Sequence, residues 1–397
     1  MNKILILLVI TIQVACSGKK DVQVSSNSTA ISYDGLNEAI SARIPYLIKY
    51  EVDSTKFPRS MKKDGTVRGV PSRDWTSGFF PGILFQLYQI TADEELFKKG
   101  IEWTAFVEKE QYNAGTHDMG FKIFCSVGEA FRITKDPKYK EVIITSAKTL
   151  STRFDPKIGS IRSWDFGKDR WQFPVIIDNM MNLELLFEAT KMTNDSSYYK
   201  IAETHARTTL KNHFREDNSS YHVVDYNEET GDVLQRVTHQ GINDSSVWSR
   251  GQAWGLYGFT MAYRYTQIQD FLNQAINIAE FIKNQPLWPA DDIPYWDMRD
   301  PGIPDAPRDA SAAAITASAC LELYEYTDNK EYLDFARSII NSLSSSDYVL
   351  NTKVSAPFIM DHSTGDWSKQ MELDAPIGYA DYYFLEAIKR NKKLEYK

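Results

Sequence analysis

Hydrophobic and polar positions along the chain follow the 3.6-residue period of amphipathic helices, and one pattern of two helices recurs five times. In each copy the first helix ends near a threonine, a short polar turn follows, and an aromatic residue begins the second helix. The copies begin at Leu87, Ala130, Leu186, Ala262 and Leu323, and their second helices begin at Phe97, Tyr139, Tyr199, Phe271 and Tyr332. The pattern therefore predicts five helical hairpins.

The segments between successive hairpins are longer and richer in Trp, His, Gly and Pro. Short turns at one end and long loops at the other predict a closed ring with its functional site at the loop end. A sixth hairpin, from helices at residues 36–50 and 380–390, would complete an all-α (α/α)6 barrel. An open solenoid is the alternative, but its repeats would be roughly 34 to 47 residues long. The longer, irregular spacing here favours closure into one domain over residues 32–397.

The first residues have the pattern of a processing signal. Lys3 precedes an apolar run over residues 4–14 that is too short to cross a bilayer, and Ala15-Cys16 follows. This resembles a bacterial lipoprotein signal, which predicts cleavage after residue 15 and a flexible tether over residues 16–31. Gln13 departs from the usual pattern, so an ordinary secretory signal is the alternative. We expect a periplasmic or outer-membrane lipoprotein of a Gram-negative bacterium, touching the membrane only through lipid on Cys16.

The charge balance limits the classes of partner that the protein is expected to bind. Removing residues 1–15 takes away one lysine and no acid, which leaves 44 basic against 53 acidic residues and a net charge of −9. Such a balance argues against nucleic acid and long polyanions, but not against a short anionic ligand held by one or two cations. Cys125 and Cys320 lie in apolar helical patterns, which predicts buried free thiols. No zinc-type Cys/His spacing is present.

Two aspartates stand out as candidate acids. Asp118 precedes one predicted helix, and Asp178 opens another whose apolar neighbours would desolvate it. A desolvated carboxylic acid can remain protonated near neutral pH and donate its proton. The alternative is that each aspartate is a helix N-cap, a role that Asp fills well.

The long loops also carry aromatic, amide and imidazole side chains beside these acids. Aromatic rings stack on the apolar faces of sugars, and the polar groups bind hydroxyls. Arg250 lies between Trp248 and Trp254 in sequence, and its guanidinium could bind a carboxylate at two points. For any single tryptophan, core packing is the alternative. The loop end is therefore predicted to bind an acidic sugar.

Seven segments together resemble the unsaturated glucuronyl hydrolases, glycoside hydrolase family 88. They are DWTSGFFPG, HDMGF, IIDNMMNLELL, HQG, SVWSRGQAWGLYG, PRDASAAAI and YADYYFLEA, and they extend from Asp74 to Ala387. The resemblance implies an (α/α)6 barrel that removes a 4-deoxy-4,5-unsaturated uronic acid from the non-reducing end of oligosaccharides made by polysaccharide lyases. It implies hydration of the C4=C5 enol ether without a metal or organic cofactor.

Residue roles also follow from the resemblance. Asp178 matches the general acid and base, and Asp118 matches a second essential carboxylate that helps keep Asp178 protonated. The matching substrate-binding positions are Trp75, His117, Trp164, His222, Gln240, Arg250 and Trp254, with Arg250 expected to hold the carboxylate. The expected partner is an unsaturated, uronate-terminated oligosaccharide attacked only from its end.

Two other functions are consistent with parts of the pattern. A related unsaturated rhamnogalacturonyl hydrolase would share the barrel and the chemistry, and a lipid-anchored glycan-binding protein would share the aromatic surface. The presence of both Asp118 and Asp178 opposes the second, because a binding protein needs no poised acid. The parent polysaccharide stays open. Ser363, Ser368 and Lys369 could hold a sulfate on the neighbouring sugar, unless their loop is simply a solvated polar loop.

Overall fold

The computed structural model describes residues 33–395, so the predicted signal, tether and lipid site at Cys16 lie outside the described residues. Six helical hairpins form the described part of the chain. The helices are α1 (Tyr33–Lys49), α2 (Phe79–Thr91), α3 (Glu94–Val107), α4 (Glu129–Thr134), α5 (Pro137–Ser151), α6 (Leu183–Thr193), α7 (Ser196–Asn212), α8 (Ser249–Thr266), α9 (Gln269–Lys283), α10 (Ala310–Thr327), α11 (Lys330–Leu343) and α12 (Gly378–Glu395). A π-helical segment, Gly120–Gly128, continues into α4, and a 3₁₀ segment, Ile177–Asn182, continues into α6.

The tight turns show why each predicted hairpin carries a threonine. At the end of α2, the Thr91 hydroxyl bonds to the Leu87 carbonyl and accepts from the Asp93 amide. Ala92 between them is left-handed, with φ of 58°. Asp93 then caps α3 by accepting from the amide of Glu95 at 2.9 Å. The same sequence of threonine, left-handed residue and polar cap recurs at α4–α5 and α6–α7, so the repeat is a turn motif.

The first helix of each of the five consecutive hairpins lies on the inside of the ring. Together with the π-helical or 3₁₀ segment that leads into α4 and α6, it is more buried than the second helix. In the sixth pair the inner helix is α12. Each inner helix packs against the next, and α12 packs against α2, which closes the ring. The (α/α)6 barrel predicted from the sequence is therefore confirmed. The predicted helices at 36–50 and 380–390 are α1 and α12; α1 begins earlier than predicted and ends at Lys49, and α12 extends further at both ends. Cys125 and Cys320 are free and buried, as expected.

The long loops contain short antiparallel strands that the sequence pattern did not reveal. They are β1 (Phe57–Met61), β2 (Val67–Val70), β3 (Phe154–Asp155), β4 (Ser160–Ile161), β5 (Phe173–Ile176), β6 (Val223–Tyr226) and β7 (Val233–Val237). Strands β5, β6 and β7 form one sheet in that order, and β1–β2 and β3–β4 pair separately. Within residues 33–395, no helix is long and apolar enough to cross a membrane.

Candidate active site

Close packing of two inner segments brings the two candidate acids together. A Cβ on Gly120 would lie 2.6 Å from the Cα of Asn182, so only glycine allows this approach. The neighbouring Phe121 amide donates to the Asn182 side-chain oxygen at 3.1 Å. Asp118 and Asp178 precede these two contact points on their respective segments. The Gly120–Asn182 contact therefore sets the two carboxyl groups near one another.

The segment Ile177–Asn182 also lies directly on α8. A Cβ on Gly258 would fall 2.3 Å from the Cβ of Met180, which leaves no room for any larger side chain. One turn earlier, Gly255 faces Ile177 at ordinary contact distance. The glycines of the SVWSRGQAWGLYG segment thus form the surface on which the Asp178 segment rests.

Asp178 is a buried carboxylic acid whose side chain is 11% exposed. Burial raises its pKa from 3.8 to about 7; the nearby Arg250 cation opposes this rise, and the Asp118 charge adds to it. Its Oδ2 atom has no hydrogen-bond partner among the described residues. The indole N–H of Trp254 is close but also lacks a bonding geometry. Asp178 can therefore carry a proton at neutral pH and direct it towards a ligand.

His222 faces Asp178 through the register of β5 and β6, which pairs Ile176 with Val223. Its Nδ1 accepts from the backbone amides of His239 at 3.1 Å and Gln240 at 3.0 Å. A neutral imidazole with an accepting Nδ1 carries its proton on Nε2. Burial holds the pKa of His222 well below its usual range. The Nε2–H group lies 3.7 Å from Oδ2 of Asp178, too far for a hydrogen bond, so it remains a donor for a ligand.

Asp118 and His117 form the other side of the site. The Thr116 hydroxyl donates to Oδ2 of Asp118 at 2.7 Å, and Nε2 of His117 lies 3.2 Å from its Oδ1. Nδ1 of His117 contacts the Asn179 side-chain oxygen at 2.7 Å. Because Asn179 follows Asp178 directly, this contact also links the two acidic segments.

Neither aspartate is a helix N-cap. Ile176 precedes the Ile177–Asn182 segment and Met119 precedes Gly120–Gly128, and neither makes a side-chain capping bond. Asp178 lies inside the first turn of its segment, one residue after its first residue, and is not in the capping position. The cap alternative is therefore wrong for both residues. The apolar residues beside each aspartate at the start of its helical segment reflect burial of this part of the chain and not a capping role.

Arg250 does not extend towards a ligand as a free cation. It is 1% exposed, and its Nη1 donates to Asp309 at 2.7 Å and to the Thr364 carbonyl at 2.5 Å. Its Nη2 donates to the Gly365 carbonyl at 2.5 Å. Three of its five donors are thus bonded within the protein, and Asp309 already balances its charge. The Nε–H and the second Nη2–H remain for a ligand. The two-point grip on a substrate carboxylate expected from the sequence therefore stays a prediction, and it would use this side of the guanidinium.

The predicted aromatic residues form two walls. Trp75 is half-buried and stacks on Tyr379 with ring centroids 5.1 Å apart. Phe121 joins Trp75 to Trp254, which is fully buried. On the other side Trp164 stacks on the exposed Phe166 at 4.9 Å. A cavity of about 450 Å³ lies between this pair and the residues Gly115, Thr116, His117 and Asp118. The cavity thus reaches Asp118 and His117, and Trp164 and Phe166 form its aromatic side.

The remaining predicted residues differ in their positions. The Gln240 side chain donates to the Gly365 carbonyl at 3.2 Å and so belongs to the site. Ser363 is fully buried, and its backbone pairs with Ala375. Lys369 is 55% exposed and forms a 2.8 Å ion pair with Asp366. The expected sulfate contact is therefore wrong for Ser363, which is inaccessible, and stays a prediction for Lys369, which is exposed and paired with Asp366.

Ser368, the third residue of that predicted sulfate site, is also engaged within the loop. Its hydroxyl donates to Asp366 at 2.6 Å. Asp366 thus binds both Ser368 and Lys369, and the loop folds around its own carboxylate.

Sequence reasoning missed Asp309 and Tyr379 as residues of the site and named Trp248 only as a neighbour of Arg250 in sequence. Trp248 packs on the His222 ring at 4.6 Å, and Trp248 and Tyr379 flank the Arg250 guanidinium. All three lie inside the segments that carry the family resemblance, which was the available signal.

Not every acid with a pKa raised by burial belongs to the site. The pKa of Asp381 is also raised to about 7 by burial, yet its oxygens accept from the amides of residues 359 and 360 and it is structural.

Comparison with known proteins agrees with this geometry. The model for Glycosyl Hydrolase Family 88 matches residues 48–284. The unsaturated glucuronyl hydrolase of Formosa agariphila is 53% identical over 90% of each chain. A crystal structure of an unsaturated glucuronyl hydrolase specific for heparin is 46% identical, with a TM-score of 0.89 over 92% of this chain and 98% of that one.

A second crystal structure shows the same barrel at lower identity. It is the unsaturated glucuronyl hydrolase from Bacillus sp. GL1, described as responsible for the degradation of glycosaminoglycan. This enzyme is 30% identical, with a TM-score of 0.83 over 89% of this chain and 96% of that one. Sequence motifs, site geometry and relatives thus agree, and the chain belongs to Glycosyl Hydrolase Family 88, the family of the unsaturated glucuronyl hydrolases.

Proposed function

We propose that this protein is an unsaturated glucuronyl hydrolase that releases a 4,5-unsaturated uronic acid from the non-reducing end of glycosaminoglycan-derived oligosaccharides. The observation that carries the proposal is the buried Asp178, whose pKa is raised to about 7 and whose Oδ2 has no partner among the described residues. An acid poised in this way is what protonation of an enol ether at C4 requires.

The proposed reaction uses the two forms of one carboxyl group. Protonated Asp178 gives its proton to C4 of the C4=C5 bond, and the resulting carboxylate takes a proton from water as the water oxygen bonds to C5. The new hydroxyl at C5 makes a hemiketal. Opening of that ring and collapse of the hemiacetal at C1 release the next sugar and a keto sugar, with one water consumed overall.

Neighbouring groups assist without donating the catalytic proton. The Nε2–H of His222 and the indole N–H of Trp254 lack partners within the described chain and so can donate to the uronate ring. Asp118 and His117 line the cavity beside Trp164 and suit ring hydroxyls. The buried cation of Arg250 favours the ionised form of Asp178 and so offsets part of the effect of burial, which keeps the acid titrating near neutrality.

The test is a turnover assay on lyase-generated disaccharides from heparin, chondroitin and hyaluronan. Loss of the ultraviolet absorbance of the conjugated double bond, with appearance of a keto sugar, supports the proposal. Intact polymer should keep its viscosity, because a pocket admits a chain end only. Tight binding without loss of absorbance would instead indicate a glycan-binding protein. Turnover confined to pectin-derived products would indicate a rhamnogalacturonyl hydrolase.

We further propose that the protein is exported and held at a membrane by lipid on Cys16. The sequence of residues 1–16 supports this through its basic start, short apolar run and Ala-Cys junction. Cells grown with radiolabelled palmitate should yield labelled protein in the membrane fraction. The Cys16→Ser variant should lose the label and become soluble. Labelling that persists in this variant would contradict the assignment.

A further inference from the structure

Asp309 connects three parts of the active-site end through one carboxylate. Its Oδ1 caps α10 by accepting from the amides of Ser311 at 3.0 Å and Ala312 at 3.3 Å. Its Oδ2 accepts from Nη1 of Arg250 on α8 at 2.7 Å. Arg250 in turn holds the loop carbonyls of residues 364 and 365. Both partners of the ion pair are almost fully buried, with side chains 1% and 0% exposed.

The ion pair between Arg250 and Asp309 has few alternative orientations. The Arg250 guanidinium lies between the rings of Trp248 at 4.6 Å and Tyr379 at 5.2 Å, which restrict it from both faces. The Ser311 hydroxyl also donates to Oδ1 of Asp309 at 2.5 Å. With this carboxylate fixed by the end of a helix, the guanidinium has one favourable position. Asp309 therefore determines where the positive charge of Arg250 lies and how much of it is balanced.

We propose that Asp309 is a positioning residue that fixes Arg250 and sets the net charge felt by the acid Asp178. The inference rests on the proposed function, because it concerns the proton that Asp178 donates. Removal of a buried partner leaves an uncompensated charge, whose effect on neighbouring groups is large in a site that excludes water.

The sign follows from the groups that surround Asp178. They are Arg250 from α8, Asp118 from the segment before Gly120–Gly128, and His222 beside β6. Tyr379 from α12 and Asp309 from α10 act on Arg250. His222 stays neutral because burial depresses its pKa. Loss of the Asp309 charge makes the surroundings of Asp178 more positive, so the charged form of this acid becomes more favourable.

The variant Asp309→Asn tests this with little change in shape. Asparagine is as good an N-cap as aspartate, so α10 retains its cap. The amide has one acceptor and no charge, so it cannot serve the helix and Arg250 together. The basic limb of the kcat–pH profile should move down by about one unit, as expected for an unbalanced charge nearby. Turnover at pH above the limb should then fall about tenfold, while turnover at acidic pH changes little.

Two further variants separate positioning from stability. Asp309→Glu keeps the charge and should return the limb towards the wild-type pH. Asp195→Asn makes the same change at the N-cap of α7, where Asp195 accepts from the Ser197 amide at 2.8 Å, and should leave the profile unchanged. An Asp309→Asn enzyme whose activity falls equally at every pH, with an unmoved limb, would overturn the inference.

A direct measurement keeps the inference separate from the activity. Carbon-13 labelling of aspartate carboxyl groups follows the titration of Asp178 by NMR, with the signal assigned by its loss in Asp178→Asn. Asp309→Asn should lower that titration midpoint even if no substrate is turned over. An inactive wild-type protein would refute the proposed function alone, whereas an unmoved midpoint would refute the role of Asp309.

Discussion

Replacing Gly258 by alanine should displace the catalytic segment without touching any polar group. The added Cβ would lie 2.3 Å from the Cβ of Met180, whereas carbon atoms in contact are about 3.5 to 4.0 Å apart. One of the two elements must therefore move by about 1 Å. Met180 approaches through its Cβ and backbone, so rotation of its side chain cannot relieve the overlap. The segment that carries Asp178 must shift off α8.

The size of the effect can be set against a control in the same helix. Overpacking of a buried contact costs about 1 to 3 kcal/mol, and a 1 Å displacement at a catalytic group can cost about a hundredfold in rate. Gly255, one turn earlier on α8, would place its Cβ 3.4 Å from Ile278 and 3.6 Å from Ile177, which are ordinary contacts. Gly255→Ala should instead gain about 0.5 to 1 kcal/mol from helix propensity.

Thermal unfolding and kcat on an unsaturated disaccharide, measured for both variants, test the reasoning. Gly258→Ala should unfold at a lower temperature than wild type and lose most of its turnover. Gly255→Ala should be at least as stable as wild type and similarly active. If Gly258→Ala matches Gly255→Ala in both measurements, the close contact with Met180 does not position Asp178, and the account of the α8 glycines is wrong.

Three further variants test the acid itself. Asp178→Asn should lower kcat by about 10² to 10⁴ while binding substrate. Because the pKa of Asp178 is raised from 3.8 to about 7, folding of the wild type should weaken as pH rises through that window. Folding of the variant should weaken less, and should still weaken because it keeps Asp381, whose pKa is also about 7; equal slopes in urea unfolding across the window would refute this. Asp118→Asn should move the basic limb of the kcat–pH profile to lower pH by less than about one unit, since burial contributes more than Asp118 to the raised pKa of Asp178. A shift of this limb to higher pH would be incompatible with the like-charge effect. Arg250→Gln should move the limb up, because it removes the cation that favours ionised Asp178; a downward shift would show that Arg250 acts otherwise.

The architecture was predictable because each hairpin repeats one local signal. Thr91, the left-handed Ala92 and the cap Asp93 lie next to one another in sequence, so the turn can be recognised without knowledge of the fold. The burial of Asp178 was predictable for the same reason, since its apolar neighbours are adjacent along the chain.

Contacts between distant segments could not be predicted from the sequence. The partner of Arg250 is Asp309, on another helix, and nothing near Arg250 in sequence reveals that its charge is already balanced. The tautomer of His222 depends on the pairing of β5 with β6 and on two backbone amides. These details are set by tertiary packing, which a local pattern does not encode.

Closure of the ring by α12 against α2 has a consequence for how the protein is made. α2 ends at Thr91 and α12 begins at Gly378, so most of the described chain lies between these two inner helices, and each leaves an apolar flank uncovered until the other is made. Synthesis proceeds from the amino end at about 5 to 20 residues per second, so α2 is without this neighbour during most of translation. A ribosome-bound chain therefore exposes the apolar flank of α2, which chaperones must shield. A product truncated before α12 should aggregate instead of forming a smaller barrel.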